Sequence, residues 1–293
     1  MSKNKISWIR RKLVDIIAHL YPNTSKCTNN VSQDELSRIV YSIMDSKWKQ
    51  FPNNWGKDGL SKFIDELYIS NIVATYHNPD MASQYECLQT IWECFRSIDG
   101  KVKDPKSRVA MHLFLRAASA YSASCIASMA GQSSETYALL RSCLEYGAYG
   151  FYIYMDTSKE EVWLQKGNSE DGRKKFLAEF IQRKLCDSIK EKDVGLAESY
   201  GSLYECTIDY GAHPNEPAVK QGYYEKENEV GLETGQLFLS ANPETIKALL
   251  NKTVETGVTV LQMIRIIYPK IFEDCNITAK LSEVTEVLEQ NSP

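Results

Sequence analysis

The sequence lacks the short motifs that announce common chemistries. It holds no G-x-x-x-x-G-K-[ST] phosphate loop, no G-x-G-x-x-G turn, no H-E-x-x-H helix and no G-x-S-x-G elbow. Histidine is scarce, at 4 of 293 residues, so a site built on several imidazoles has little to draw on. The 8 cysteines include no C-x-x-C pair, and none has a histidine at zinc-finger spacing. Most of them fall inside apolar helical patterns, where a free thiol behaves as a small buried hydrophobe. A reducing cytoplasm is the expected compartment. The net charge of −4 is small, so bulk charge gives no support to general polyanion binding and leaves only local basic patches.

Long apolar runs are missing too. The most apolar stretch, Val109 to Ala130, contains His112, Arg116 and several serines, which is too polar to span a bilayer. No integral membrane association is expected. Near the start, Lys3, Lys5, Arg10, Arg11 and Lys12 precede Asp15, but the apolar residues among them are periodic, so no signal-peptide core is expected. Those cations read as a solvated helix face or as contacts to phosphate or anionic lipid.

What is present is helical periodicity, in a composition (43% hydrophobic, 25% charged) ordinary for a globular core. Ile6, Ile9, Leu13, Ile16, Ile17 and Leu20 mark one apolar face, and Ser32-Gln-Asp-Glu35 reads as a capping box. Leu60, Phe63, Ile64, Leu67 and Tyr68 repeat the pattern, as do Leu88, Ile91, Trp92 and Phe95 before Asp99-Gly100. Asp104-Pro105 predicts the start of a helix of about seven turns that stops at Gly131. Its Ala117, Ala118, Ala120, Ala123, Ser124 and Ala127 permit close backbone approach, as in the central helix of a bundle. A second long helix is predicted from Ser133 or Ser134 to Met155, and Ser158-x-x-Glu161 caps a short third. Phe176, Phe180, Ile181, Leu185 and Ile189 define one amphipathic helix, and Val194 to Tyr210 another. Asn242-Pro243-Glu244 starts a long helix that ends before Pro269, and Asn276 caps a final acidic one. Residues 211–240 break the rhythm with two prolines and four glycines, and read as a long loop or a small β-hairpin. The fold class is therefore all-α: a multi-helix bundle with long central helices. The length divides it into an N-terminal helical region, 1–100, and a main bundle, 101–293, which can be continuous.

Two segments carry candidate chemistry. Arg141 and Glu145 lie four residues apart on a helix whose core stripe is Leu140, Leu144, Gly147, Phe151 and Tyr154. The pair, with Tyr152, falls on the margin of that stripe. It reads either as a half-buried functional pair or as a surface i,i+4 pair worth about 0.2–0.5 kcal/mol. The second segment, Asp209-Tyr-Gly-Ala-His-Pro-Asn215, sits where a helix ends, with Gly211 as a left-handed cap and Pro214 forbidding continuation. His213 is there either a chemical group or a residue bonding the last helix carbonyls. Glu145, Asp209 and His213 could also hold a divalent metal, although nothing in the spacing demands one. Tyr146, Tyr149, Tyr152 and Tyr154 could stack on bases, pack on neighbouring helices or meet a second subunit.

The Arg141-Ser-Cys-Leu-Glu145 helix, followed about 70 residues later by Tyr210-Gly-Ala-His-Pro-Asn215, resembles a pattern in helical bacterial proteins laid out like the HEPN superfamily. The resemblance covers residues 105–270. It implies a protein of a bacterial stress or antiviral system, with Arg141, Glu145 and His213 as catalytic residues of a metal-independent ribonuclease that needs no cofactor. HEPN nucleases carry Arg and His within one R-x4–6-H motif. Here Arg108 and His112 are one residue too close, and Arg11 and His19 are too far apart. The other class of function is a non-catalytic binding or interaction module, in which the same cluster pins the long loop to the bundle. RNA and a protein of the same operon are the implied partners. A homodimer is expected from the apolar and aromatic surface of the two central helices.

Overall fold

In the computed structural model the described residues are 56–103, 105–212, 216–221, 223–228 and 231–290. The expected apolar segment at 6–20, the capping box at 32–35, Asp104 and His213 lie outside them. The chain forms two compact units, 1–75 and 76–293. About four-fifths of the described residues are helical, with one two-stranded antiparallel sheet. No helix among the described residues is long and apolar enough to cross a membrane.

In the first unit, α1 (Gly59–Asp65) is capped by Asp58, whose carboxylate accepts from the Ser61 amide at 2.8 Å. The helix then widens into a π-helical segment, Glu66–Val73.

The second unit is organised by four long helices, three of which come first in the chain. Helix α2 (Ala82–Ile98) is followed by α3 (Arg108–Met129) and α4 (Ser133–Met155). Gly131, in left-handed backbone with a φ of 70°, turns α3 into α4, the stop that the sequence predicts. The two form an antiparallel hairpin: Arg116 sits against Tyr146, and Lys106 donates to the Tyr154 carbonyl at the far end. The small residues of α3 permit that approach, since Ala117, Ala120, Ser124 and Ala127 are all buried. The helix start is three residues later than predicted. Ser107, not Asp104, precedes it, and its hydroxyl accepts from the Ala110 amide at 3.0 Å, which satisfies a free first-turn donor.

Short helices α5 (Ser158–Leu164), α6 (Glu170–Glu179) and α7 (Gln182–Lys190) then lead to α8 (Val194–Thr207). Ser158 does not cap α5. It donates instead to the carboxylate of Asp156 through both its amide and its hydroxyl, at 3.0 and 2.7 Å. The single helix predicted across 176–189 is broken at Phe180 (φ −94°, ψ 50°), whose ring stacks on Phe176 and meets Tyr149 and Tyr152. Periodicity alone misses this break, because the apolar residues on both sides face the same core.

Helix α9 (Glu216–Gln221) precedes the hairpin of β1 (Tyr223–Asn228) and β2 (Gly231–Gln236), paired from Tyr223↔Gln236 to Asn228↔Gly231. It occupies the segment read as a loop or hairpin. After it the chain returns to the α3–α4 turn, where the Ser240 amide donates to the Gly131 carbonyl at 2.9 Å. Helix α10 (Pro243–Ile267) starts as predicted, with the Asn242 side chain accepting from the Glu244 amide and Pro243 in the first turn. It packs against α2, α3, α4 and α8, burying Leu250, Val254, Val260 and Leu261 completely. Helices α11 (Pro269–Asp274) and α12 (Ile277–Gln290) close the unit. Asn276 precedes α12 in left-handed backbone (φ 53°) and not in the extended form of an N-cap; Asn tolerates that form.

Candidate functional site

Helix α4 buries Leu140, Leu144, Gly147 and Phe151 on one stripe, as its spacing predicts. Arg141 and Glu145 fall at the margin, with side chains 22% and 35% exposed. The Arg141 Nε–H donates to Glu145 Oε1 at 2.9 Å. One of its terminal nitrogens donates to the Tyr204 hydroxyl at 3.0 Å, and that hydroxyl donates to the same Glu145 oxygen at 3.3 Å. The guanidinium carbon also lies 5.1 Å from the centroid of the Tyr204 ring. An arginine, a carboxylate and a phenol thus close a three-membered ring of contacts between α4 and α8.

The electrostatics fix the protonation of two of its members. Burial pulls the Arg141 pKa down, but the hydrogen bonds and charge of Glu145 and Tyr204 outweigh it and raise the value above normal. Burial, and then the Glu145 charge, raise Tyr204, so its hydroxyl stays protonated and remains a donor. Tyr204 was not found by sequence reasoning. Its signal was the i,i+4 pair with Tyr200, which turns two phenols to the same side of α8 and into the core.

Helix α8 does not stop at Tyr210 with a left-handed glycine. It continues as a π-helical turn, Ile208–Ala212, and Gly211 is not among the residues of positive φ. The glycine serves close packing instead. A Cβ at Gly211 would lie 2.5 Å from the Tyr137 Cβ and 2.7 Å from the Ser134 carbonyl oxygen. The backbone at 211 therefore touches α4 one helical turn before Arg141, and Tyr210 rests against Tyr137 with ring centroids 5.3 Å apart. Single π-turns inside α-helices are frequent at functional positions. Among the described residues no group of three His, Cys, Asp or Glu side chains is arranged to hold a metal ion.

A second polar cluster was not anticipated at all. Glu179, at the end of α6, accepts from the Tyr152 hydroxyl at 2.6 Å and from Lys159 and Lys184 at 2.6 and 2.8 Å. Those three donors hold its carboxyl well down, at about 2 against an ordinary 4.5. A depressed carboxyl stabilises the fold above its unfolded-state pKa, and that contribution fades as pH falls through the folded value. The window is therefore pH 4.5 down to 2. With the side chain 19% exposed and partly screened, Glu179→Gln is expected to cost about 1–3 kcal/mol at pH 7. Urea denaturation at pH 6 and pH 3 checks the assignment. The gap between wild type and variant shrinks by half or more at pH 3, and a gap independent of pH rules it out.

The four α4 tyrosines pack within the chain. Tyr146 meets Arg116, Tyr149 meets Phe176 and Phe180, Tyr152 meets Phe180, and Tyr154 meets Tyr268. All four remain half-buried. Comparison with models of known protein families, with curated proteins and with solved structures finds no match to this chain.

Proposed function

We propose that this chain is a HEPN-like helical protein of a bacterial stress or antiviral system that acts on RNA through Arg141, Glu145 and His213. The observation that carries the reading is Arg141 itself: a charged, partly exposed guanidinium fixed in one orientation by Glu145 and Tyr204. The turn that precedes His213 packs on α4 one helical turn before Arg141. In metal-independent cleavage the 2′-oxygen attacks the adjacent phosphorus as His213 takes its proton. The bond to the 5′-oxygen breaks and that oxygen is protonated by a water, which recovers its proton from His213, leaving a cyclic phosphate and a 5′-hydroxyl. Arg141 neutralises the charge that builds on phosphorus-bound oxygens, and Glu145 aims the guanidinium.

The second reading, a non-catalytic interaction module, is favoured by the way Arg141, Glu145 and Tyr204 satisfy one another. In that case the cluster fastens α8 to α4 and the RNA chemistry is absent. Purified full-length protein incubated with single-stranded RNA separates the two. His213→Ala is expected to reduce cleavage about a hundredfold or more without a change in melting temperature. Cleavage equal to wild type, or none from the wild type, rejects the catalytic reading and leaves the module.

A further inference from the structure

Helix α3 and the segment that leads into it have a charge pattern that the Arg141 site does not use. Lys101, Lys103, Lys106, Arg108 and Arg116 fall between positions 101 and 116, and no aspartate or glutamate occurs between Asp104 and Glu135. Arg108, His112 and Arg116 recur every fourth residue and are all exposed, which places them on one ridge about 12 Å long at ~1.5 Å per residue. None of the five lysines and arginines takes part in an ion pair among the described residues. Some other cations of this unit do pair, as in Lys175–Asp171, Lys252–Glu255 and Lys280–Glu93.

The pattern works against the stability of the free protein. Arg108 and Arg116 stand two turns apart, with no acid between them in the sequence to offset either. Arg108 also stands in the first turn of α3, where the helix dipole disfavours a cation and no acid compensates. On a chain whose net charge is −4, this concentration of unpaired positive charge is a local reversal of sign. Beside it, on α4, the half-buried ring of Tyr146 lies 5.5 Å from the Arg116 guanidinium carbon. A cationic ridge flanked by an aromatic ring suits a strand whose phosphates and base faces are both accessible.

We propose that the exposed ridge of α3 binds the phosphodiester backbone of a single-stranded nucleic acid, with Tyr146 offering its ring to a base at the edge of the ridge. Tyr146 follows Glu145 directly and lies about 100° around α4 from it, toward α3, so a bound strand runs along the helical hairpin that also carries Arg141. The inference rests on the RNA reading above for the class of ligand only. It requires neither Arg141 nor His213, and its test reads binding instead of cleavage.

The test is fluorescence anisotropy of full-length protein with labelled single-stranded oligouridine and oligothymidine of equal length, over a range of salt concentrations. Arg108→Glu/Arg116→Glu is expected to weaken binding at least tenfold. Arg108→Gln/Arg116→Gln is expected to lower the slope of log affinity against log salt by about 1.4, at ~0.7 per lost phosphate contact on a single strand. Tyr146→Leu lowers affinity severalfold and leaves that slope unchanged. Lys175→Glu/Lys220→Glu makes the same change in net charge on other helices and keeps wild-type affinity. Tighter binding to oligouridine than to oligothymidine supports the ridge and identifies RNA as the source; the reverse order supports the ridge and identifies DNA. Three results overturn the proposal: no binding by the wild type at 50 mM salt, an equal loss in both charge-reversed doubles, or equally effective competition by polyglutamate. Circular dichroism melts of each variant confirm that all of them are folded.

Discussion

On the ribonuclease reading, Arg141→Ala is expected to lower RNA cleavage by about two to three orders of magnitude and to cost only about 1–2 kcal/mol of stability. The rate effect is the size seen when one preorganised donor to a developing oxyanion is removed. The stability effect is bounded by exposure. Breaking a fully buried ion pair typically costs roughly 3–5 kcal/mol, because the abandoned charge cannot reach water. Glu145 is 35% exposed and rehydrates when its partner leaves, so the loss approaches that of one or two charged hydrogen bonds. Arg141→Lys separates charge from geometry. A lysine restores a cation but cannot fork toward Glu145 and Tyr204 at once, so it recovers only part of the rate. Single-turnover cleavage and urea denaturation on the same preparations give both numbers. A loss of 3 kcal/mol or more, with activity falling only in step with the unfolded fraction, would assign Arg141 to the scaffold.

Gly257→Leu is expected to prevent stable folding altogether. Gly257 lies where α10 crosses α2 and α3, and a Cβ there would stand 2.4 Å from Ile91 Cγ2 and 2.5 Å from the Tyr121 ring. Both neighbours are fully buried, so neither can swing into solvent. Overpacking by a few methylenes costs about 1–3 kcal/mol in a close-packed core. Leucine adds four carbons at a point without room for the first, against a total stability of about 5–15 kcal/mol. Gly257→Ala is expected to fold with a loss of about 1–3 kcal/mol. Gly201 in α8 is the control: nothing lies within 4 Å of its missing Cβ, so Gly201→Ala should gain about 0.5–1 kcal/mol. Thermal melts by circular dichroism decide the matter, and a Gly257→Leu protein that melts near wild type would refute the packing account.

The helical plan of the second unit was legible because its signals are local. Asn242-Pro243-Glu244 starts α10, Gly131 ends the α3 turn, and the alternation of Leu140, Leu144 and Phe151 points α4 inward, all from neighbours a few residues apart. The Arg141–Glu145 pair was legible for the same reason, since four residues on a helix amount to one turn. Tyr204 and the Glu179 cluster were not. Their partners come from 63 and 27 residues away, across helices whose packing angle no local pattern encodes. The misplaced start of α3 and the break at Phe180 were lost to competition. Ser107 caps the helix three residues beyond the site that the sequence suggests, and tertiary contacts on Phe180 overrode a continuous apolar period.

Gly211 abuts Ser134 and Tyr137, while Ser240 bonds to Gly131, so the chain leaves α4 and comes back to it within two turns of the same helix end. A segment whose ends meet is topologically an insertion. Closing it costs entropy that grows only logarithmically with its length, about 0.6 kcal/mol per doubling. Lineages can therefore lengthen, shorten or rewrite the stretch that holds α9 and the β-ribbon while the helices beneath keep their register. The bundle and the ribbon are free to evolve at different rates, one constrained by packing and the other by whatever it meets.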